Sequence, residues 1–214
     1  MENPVTDLDH VVIDPRRPLV MVDVDEVLAK FMLGFERFIG RYGYEMRITR
    51  FALFQNIFPL GAETHVGVDE GVELFNGFFR HGADDLEPAE GAADALADLS
   101  THADIVILTN APGHGRDARS GWLRKHGLDY PLVVNAGLKG PAAAEMARRT
   151  AGASVFIDDL LPNLESVAES APLVSRFQMV ADERLRPLAP CAPERHPRHD
   201  EWPALKAAIE AILR

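Results

Sequence analysis

Short apolar runs that end in polar residues recur along this chain, separated by segments with helical periodicity. The first run is Leu19–Val24, broken only by Asp23; others are Ile105–Leu108, Leu132–Val134, Val155–Ile157 and, less regularly, Leu173–Val180. Runs of this length without polar alternation describe strands buried on both faces, the situation of a parallel sheet between helices. Helical patterns fall at residues 88–101, 116–126, 141–150, 161–170 and 204–213. In the first of these, Ala92, Leu96 and Leu99 share a face with Pro88 in the opening turn; in the second, Ala118, Trp122 and Leu123 share one, and Gly127 supplies the stop. The last carries Leu205, Ala208, Ile209, Ile212 and Leu213 on one stripe. Strands alternating with helices of this size imply βαβ units and an α/β fold with an open parallel sheet.

Residues 31–85 break that alternation. They hold nine of the eleven phenylalanines, at spacings such as 31/35/38 and 75/78/79 that fit helices. We therefore expect a small helical insertion after the first core strand, with its own apolar centre. The remaining core would comprise residues 1–30 and 86–214. Within the lead-in, Val11–Ile13 reads as an added edge strand. Residues 187–203, with five prolines, read as a surface loop.

Composition excludes several classes of function. Basic residues number 22 against 33 acidic, a net charge of −11, so clustered cations for a nucleic-acid polymer are missing. No apolar run approaches the roughly 18 to 20 residues of a membrane span. The stretch MENPVTDLDH is polar and acidic where a secretory leader is basic and then apolar. A single cysteine, Cys191, excludes an intrachain disulfide and a cysteine-rich metal centre, and it agrees with a reducing, cytoplasmic compartment.

In an open α/β sheet, ligands gather beyond the carboxyl ends of the strands. There the chain places Asp23-Val24-Asp25, then Thr109-Asn110, then Lys139 before a helix opening Gly140-Pro141, then Asp158-Asp159. Any one of these has an ordinary explanation: an aspartate at a strand end commonly caps a helix or shapes a turn. Together they supply carboxylates for a divalent cation, a hydroxyl and amide for an anion, and one fixed positive charge.

The ordered set resembles the haloacid dehalogenase (HAD) superfamily, whose Rossmann-like core the chain would share. Its DxDx[VT] motif is matched by Asp23-Val-Asp25-Glu-Val27, its strand ending in Ser or Thr by Leu108-Thr109-Asn110, its lone cation by Lys139, and its acidic pair by Phe156-Ile157-Asp158-Asp159. The likeness spans residues 18 to 170. It implies a Mg²⁺-dependent phosphatase: Asp23 as nucleophile, Asp25 as general acid and base, and Thr109 and Asn110 holding phosphoryl oxygens with Lys139. Asp23, the backbone carbonyl of Asp25 and Asp158 would ligate the metal, with Asp159 acting from behind. Asp25 favours phosphoryl chemistry, since the dehalogenases of the superfamily lack it. The chain departs from the common pattern at Asn163, near which many members carry a further aspartate, and at Glu26, where glycine is frequent.

The insertion would form a cap over the site. A DVDxVLAxF start, a Phe-rich insert and a late Trp202 are also similar to the 5′(3′)-deoxyribonucleotidases, which would make a nucleoside monophosphate the substrate. The expected partner is a small phosphate ester. A silent phosphate-binding protein and a phosphotransferase or mutase are the alternatives. Gly113-His114-Gly115 lacks the remaining frame of a phosphate loop, and the His196–His199 pair and Cys191 carry no recognisable constellation.

Overall fold

A computed structural model describes residues 8–214; most of the leader reading therefore lies outside the described residues. Five strands, β1 (Leu19–Val22), β4 (Asp104–Asn110), β5 (Leu132–Asn135), β6 (Ser154–Asp158) and β7 (Ser175–Gln178), form one parallel sheet in the order β5-β4-β1-β6-β7. Strand residues alternate between two apolar cores, as the period of two requires. Val20, Val22, Ile105, Ile107, Val155 and Ile157 face one side; Leu19, Met21, Val106, Leu108 and Phe156 face the other. The first core is closed by α3 (Ala92–Ser100), α4 (Arg116–Lys125) and α7 (Trp202–Leu213), the second by α5 (Gly140–Ala147) and α6 (Leu161–Ser170). Helices on both faces explain why the strand runs carry no polar alternation.

Four local readings change. Val11–Ile13 forms no strand: Val11 and Ile13 pack on the second core, and Arg149 donates to the carbonyls of Leu8 and Val11 at 2.9 and 3.2 Å. Pro88 bridges to Ala29 rather than opening α3, which starts after Gly91 at φ +77°. Ile212 of α7 is exposed, so the buried stripe there is Leu205 and Ile209. The proline-rich stretch lacks regular structure, yet it runs alongside β7: Gln178 N–H donates to Pro197 O and His199 N–H to Gln178 O, both at 3.0 Å. His196 is fully buried within it.

The segment between β1 and α3 contains α1 (Phe31–Gly40), α2 (Val68–His81) and an antiparallel ribbon of β2 (Tyr44–Met46) with β3 (Ile57–Pro59). It is mixed rather than all-helical. Its aromatic cluster is not a separate centre either. Phe78 meets Phe31, Phe35 and Phe38 edge-on at 5.3 to 5.6 Å, and these rings are continuous with the core beneath the sheet. No helix among the described residues is long and apolar enough to cross a membrane.

Candidate active site

The strand order reverses at β1, so the crevice between its neighbours opens at the carboxyl ends of β1, β4 and β6. Asp23 follows β1 directly, and its N–H donates to Ile157 O at 3.0 Å, keeping it in register with β6. Asp158 ends β6 and Asp159 follows it. Lys139 caps α5, whose close approach to α6 depends on Gly140: a Cβ there would collide with the Ser166 backbone and hydroxyl. That approach seats the Lys139 ammonium, fully buried, 2.6 Å from Asp23 Oδ1 and 2.7 Å from Asp158 Oδ2.

Carboxylate oxygens of Asp23, Asp158 and Asp159 lie within 4.8 Å of one another. Three acidic groups thus share one lysine, and burial shows in their protonation. Burial pushes Asp158 up to about 6 despite the pull of Lys139. Asp159 is raised well above the usual range by burial and by repulsion from Asp158 and Asp23. Burial alone would lower Lys139, but Asp158 and Asp23 together carry it above its ordinary value. An uncompensated buried carboxylate cluster of this kind fits a hard divalent cation.

The acidic pair divides its work. Asp158 takes three donors: Oδ2 accepts from Lys139, and Oδ1 from Asn163 Nδ2 at 3.0 Å and Leu160 N–H at 2.9 Å. Asn163, where an aspartate was the commoner expectation, is therefore a donor to Asp158. Asp159, not Asp158, lines the cavity.

Asp25 is held by a residue that sequence reasoning missed. Arg119 of α4, fully buried, donates to Asp25 Oδ2 at 2.8 Å and lies 2.7 Å from Oδ1. Its guanidinium also sits over the Phe79 ring, 5.1 Å from the centroid. Burial raises Asp25 to about 6 against that attraction. Nothing in Arg-Asp-Ala-Arg-Ser-Gly marks Arg119 as internal; the Trp122-Leu123 face is the only signal, since Arg119 precedes Trp122 by three and so shares its side of the helix.

Glu26 was also unassigned. It adopts φ +59°, and its buried carboxylate accepts from Met32 N–H at 2.7 Å and Asp182 N–H at 2.9 Å. Burial raises it to about 7 despite those two bonds. Glu26 thereby ties the start of α1 to the segment after β7, which glycine at this position could not do.

The two residues ending β4 are placed differently. Asn110 lines the cavity, but its side chain is committed to the neighbouring turn, donating to Gly137 O and accepting from Asn135 Nδ2, both at 2.9 Å. Thr109 is fully buried, and its hydroxyl has no hydrogen-bond partner among the described residues. It does not line the cavity wall.

A five-stranded parallel sheet in this order is the HAD-like form of the Rossmann-type α/β fold. Solved structures bear this out. A haloacid dehalogenase-like hydrolase from Streptococcus pneumoniae matches with a TM-score of 0.59 at 11% identity, over 91% of this chain and 99% of that one. The magnesium-bound HAD-hydrolase YfnB from Bacillus subtilis matches at 0.55 and 18%, over 91% and 99%. A β-phosphoglucomutase-like protein from Thermotoga maritima matches at 0.56 and 15%, over 92% and 100%. No protein-family model and no curated protein matches the sequence.

Proposed function

We propose that this protein is a Mg²⁺-dependent phosphomonoester hydrolase acting through an aspartyl-phosphate on Asp23. The observation that carries the reading is Asp23 itself: a buried carboxylate at the switch point, paired with a buried lysine and opening into a cavity of about 230 Å³. The likeness to a magnesium-bound HAD-hydrolase supports it.

A bound Mg²⁺ would neutralise the phosphate and let an anionic nucleophile approach it. Asp23, the Asp25 backbone carbonyl and one member of the acidic pair would hold it. We assign that place to Asp159 and make Asp158 its support, the reverse of the expectation from sequence, because the Asp158 carboxylate already takes three donors. An Asp23 oxygen attacks phosphorus in line, and the bond to the leaving oxygen breaks as Asp25 delivers its proton there. Water then attacks the aspartyl-phosphate, Asp25 takes the water proton, and inorganic phosphate leaves with Asp23 restored. Lys139 holds Asp23 in place and offsets its charge throughout. The Thr109 hydroxyl, buried without a partner, is available to a phosphoryl oxygen once one enters.

In this reading residues 31–85 act as the cap and a small phosphate ester is the substrate. The test is phosphate release from p-nitrophenyl phosphate with Mg²⁺, with chelator, and in Asp23→Asn. Turnover that survives both would overturn the reading. Phosphoryl transfer or mutase chemistry would use the same groups, and it would show as phosphate passed to an added alcohol instead of released.

A further inference from the structure

We infer that the leaving group of the substrate is small and apolar, a single ring or short hydrocarbon chain, and neither a sugar nor a nucleoside. The inference rests on the phosphatase reading for its phosphate and on the cavity for the rest. The polar side chains lining that cavity, Asp23, Asp25, Glu26, Asn110, Lys139, Asp159 and Asn163, stand at or just past the carboxyl ends of β1, β4 and β6 or at the starts of α5 and α6 beside them. Several of these are already committed: Glu26 to two backbone amides, Asn110 to its neighbouring turn, Asn163 to Asp158.

The apolar part of the lining includes Phe31 and Met32 at the start of α1, Phe51 and Leu53 between β2 and β3, Phe75 of α2, and Leu185. Among the described residues, none that lines this wall carries a hydrogen-bonding side chain. The wall is also braced. Phe75 meets Phe31 at 6.1 Å and Phe79 at 5.0 Å, while Phe51 and Leu53 pack on the cluster of Met32, Val180 and Leu185.

A hydroxyl buried against such a surface loses its water and gains no side-chain partner. A hexose brings several. The cavity, about 230 Å³, is also smaller than the roughly 300 to 1,000 Å³ of sites for drug-sized ligands. A small apolar group would instead displace poorly held water from phenyl and aliphatic surface.

The experiment compares 2-phenylethyl phosphate with glucose 6-phosphate and a nucleoside 5′-monophosphate. All three are primary alkyl esters, so the acidity of the leaving alcohol does not decide the result. We expect kcat/KM for the phenylethyl ester to exceed both others by about 100-fold, the discrimination that one or two unsatisfied hydroxyls produce. Phe51→Ser and Leu53→Asn should each lower that ratio by about 10-fold, through KM for the phenylethyl ester. The ratio is the readout, so a general loss of activity cancels. Calorimetric binding of 2-phenylethylphosphonate in the presence of Mg²⁺ gives a second measurement that needs no turnover. Equal or better use of glucose 6-phosphate or the nucleotide overturns the inference and leaves the phosphatase standing. Tight phosphonate binding with no turnover of any ester overturns the phosphatase and supports the apolar site. Failure of both removes both.

Discussion

At the carboxyl edge of the sheet, side chains hold one another: Lys139 is paired with Asp23 and Asp158, Asp25 with Arg119, and Asp158 again with Asn163. Elsewhere in the lining, Phe31, Met32, Phe51, Leu53 and Phe75 present rings and aliphatic chains packed on one another and on the core below. The first surface is made of strong, directional, interdependent contacts. The second is made of many weak contacts without direction. Removing one member of the charged surface strands its partner in a low-dielectric interior, whereas reshaping the apolar surface costs packing alone. The charged surface is thus hard to alter, and the apolar one easy.

If Asp23 is the nucleophile proposed above, the largest effect expected on the charged surface is loss of phosphate release in Asp23→Asn, on the order of 10⁴-fold or more. The variant should fold, since it removes one carboxylate from a crowded cluster; a residual activity near the parent's would break the contrast at its centre. Next is Lys139→Met, which leaves Asp23, Asp158 and Asp159 without their shared cation. Breaking a buried pair this way costs about 3 to 5 kcal/mol, measurable by urea unfolding, and added Mg²⁺ should restore part of it.

A smaller pair of effects compares backbone approaches on the two sides. Gly140→Ala drives a methyl group into the Ser166 backbone and should cost about 1 to 3 kcal/mol. Gly71→Ala in α2 meets the Phe54 ring, its nearest atom 2.6 Å away, which belongs to a side chain able to rotate. Its cost should be lower, offset by about 1 kcal/mol of helix propensity. Equal costs would mean that the apolar side is as rigid as the charged one.

The gentlest probe is pH. Asp25 and Asp158 titrate near 6 in the folded protein and Asp159 well above the usual range, against about 4 for an unfolded aspartate. Between those limits the folded state holds more protons than the unfolded one. These groups therefore make metal-free stability fall as pH rises from about 4 through about 6. The urea midpoint without metal should be lower at pH 7 than at pH 5.5, and Mg²⁺ at pH 7 should narrow the gap. A midpoint that climbs over that interval would show the cluster to be solvated.

The same contrast decides what was legible in the chain. Parallel strands announce themselves because both their faces are covered, and the polar residues at their ends follow in order, so the gathering of Asp23, Asp25, Lys139 and Asp158-Asp159 at one edge is legible from the residues, while their chemical roles come only from the family resemblance. Arg119 was not, because an arginine in a charged helix reads as solvated until the Asp25 carboxylate is placed beside it. Nor was the role of Glu26, which depends on a left-handed backbone and on a segment 156 residues away. The β2–β3 ribbon escaped as well: three-residue strands, half-buried, leave too few positions for a period of two to emerge. Phenylalanine spacing located the insert's helices but not which rings face a ligand, since core and cavity residues obey the same periodicity.

The strip of chain alongside β7 has a consequence for life in a crowded solution. A parallel sheet of five strands has two open borders, and an open border is a template for another chain. On β7 the main-chain donor and acceptor of Gln178 are already occupied by Pro197 and His199, and the prolines around them cannot donate onward. On β5 the Leu132 carbonyl receives Arg116 at 3.2 Å and lies 2.9 Å from His10 Nε2. Both borders are hemmed. Deleting residues 187–199 should therefore show itself first as self-association, seen by light scattering at temperatures where the folded core still holds.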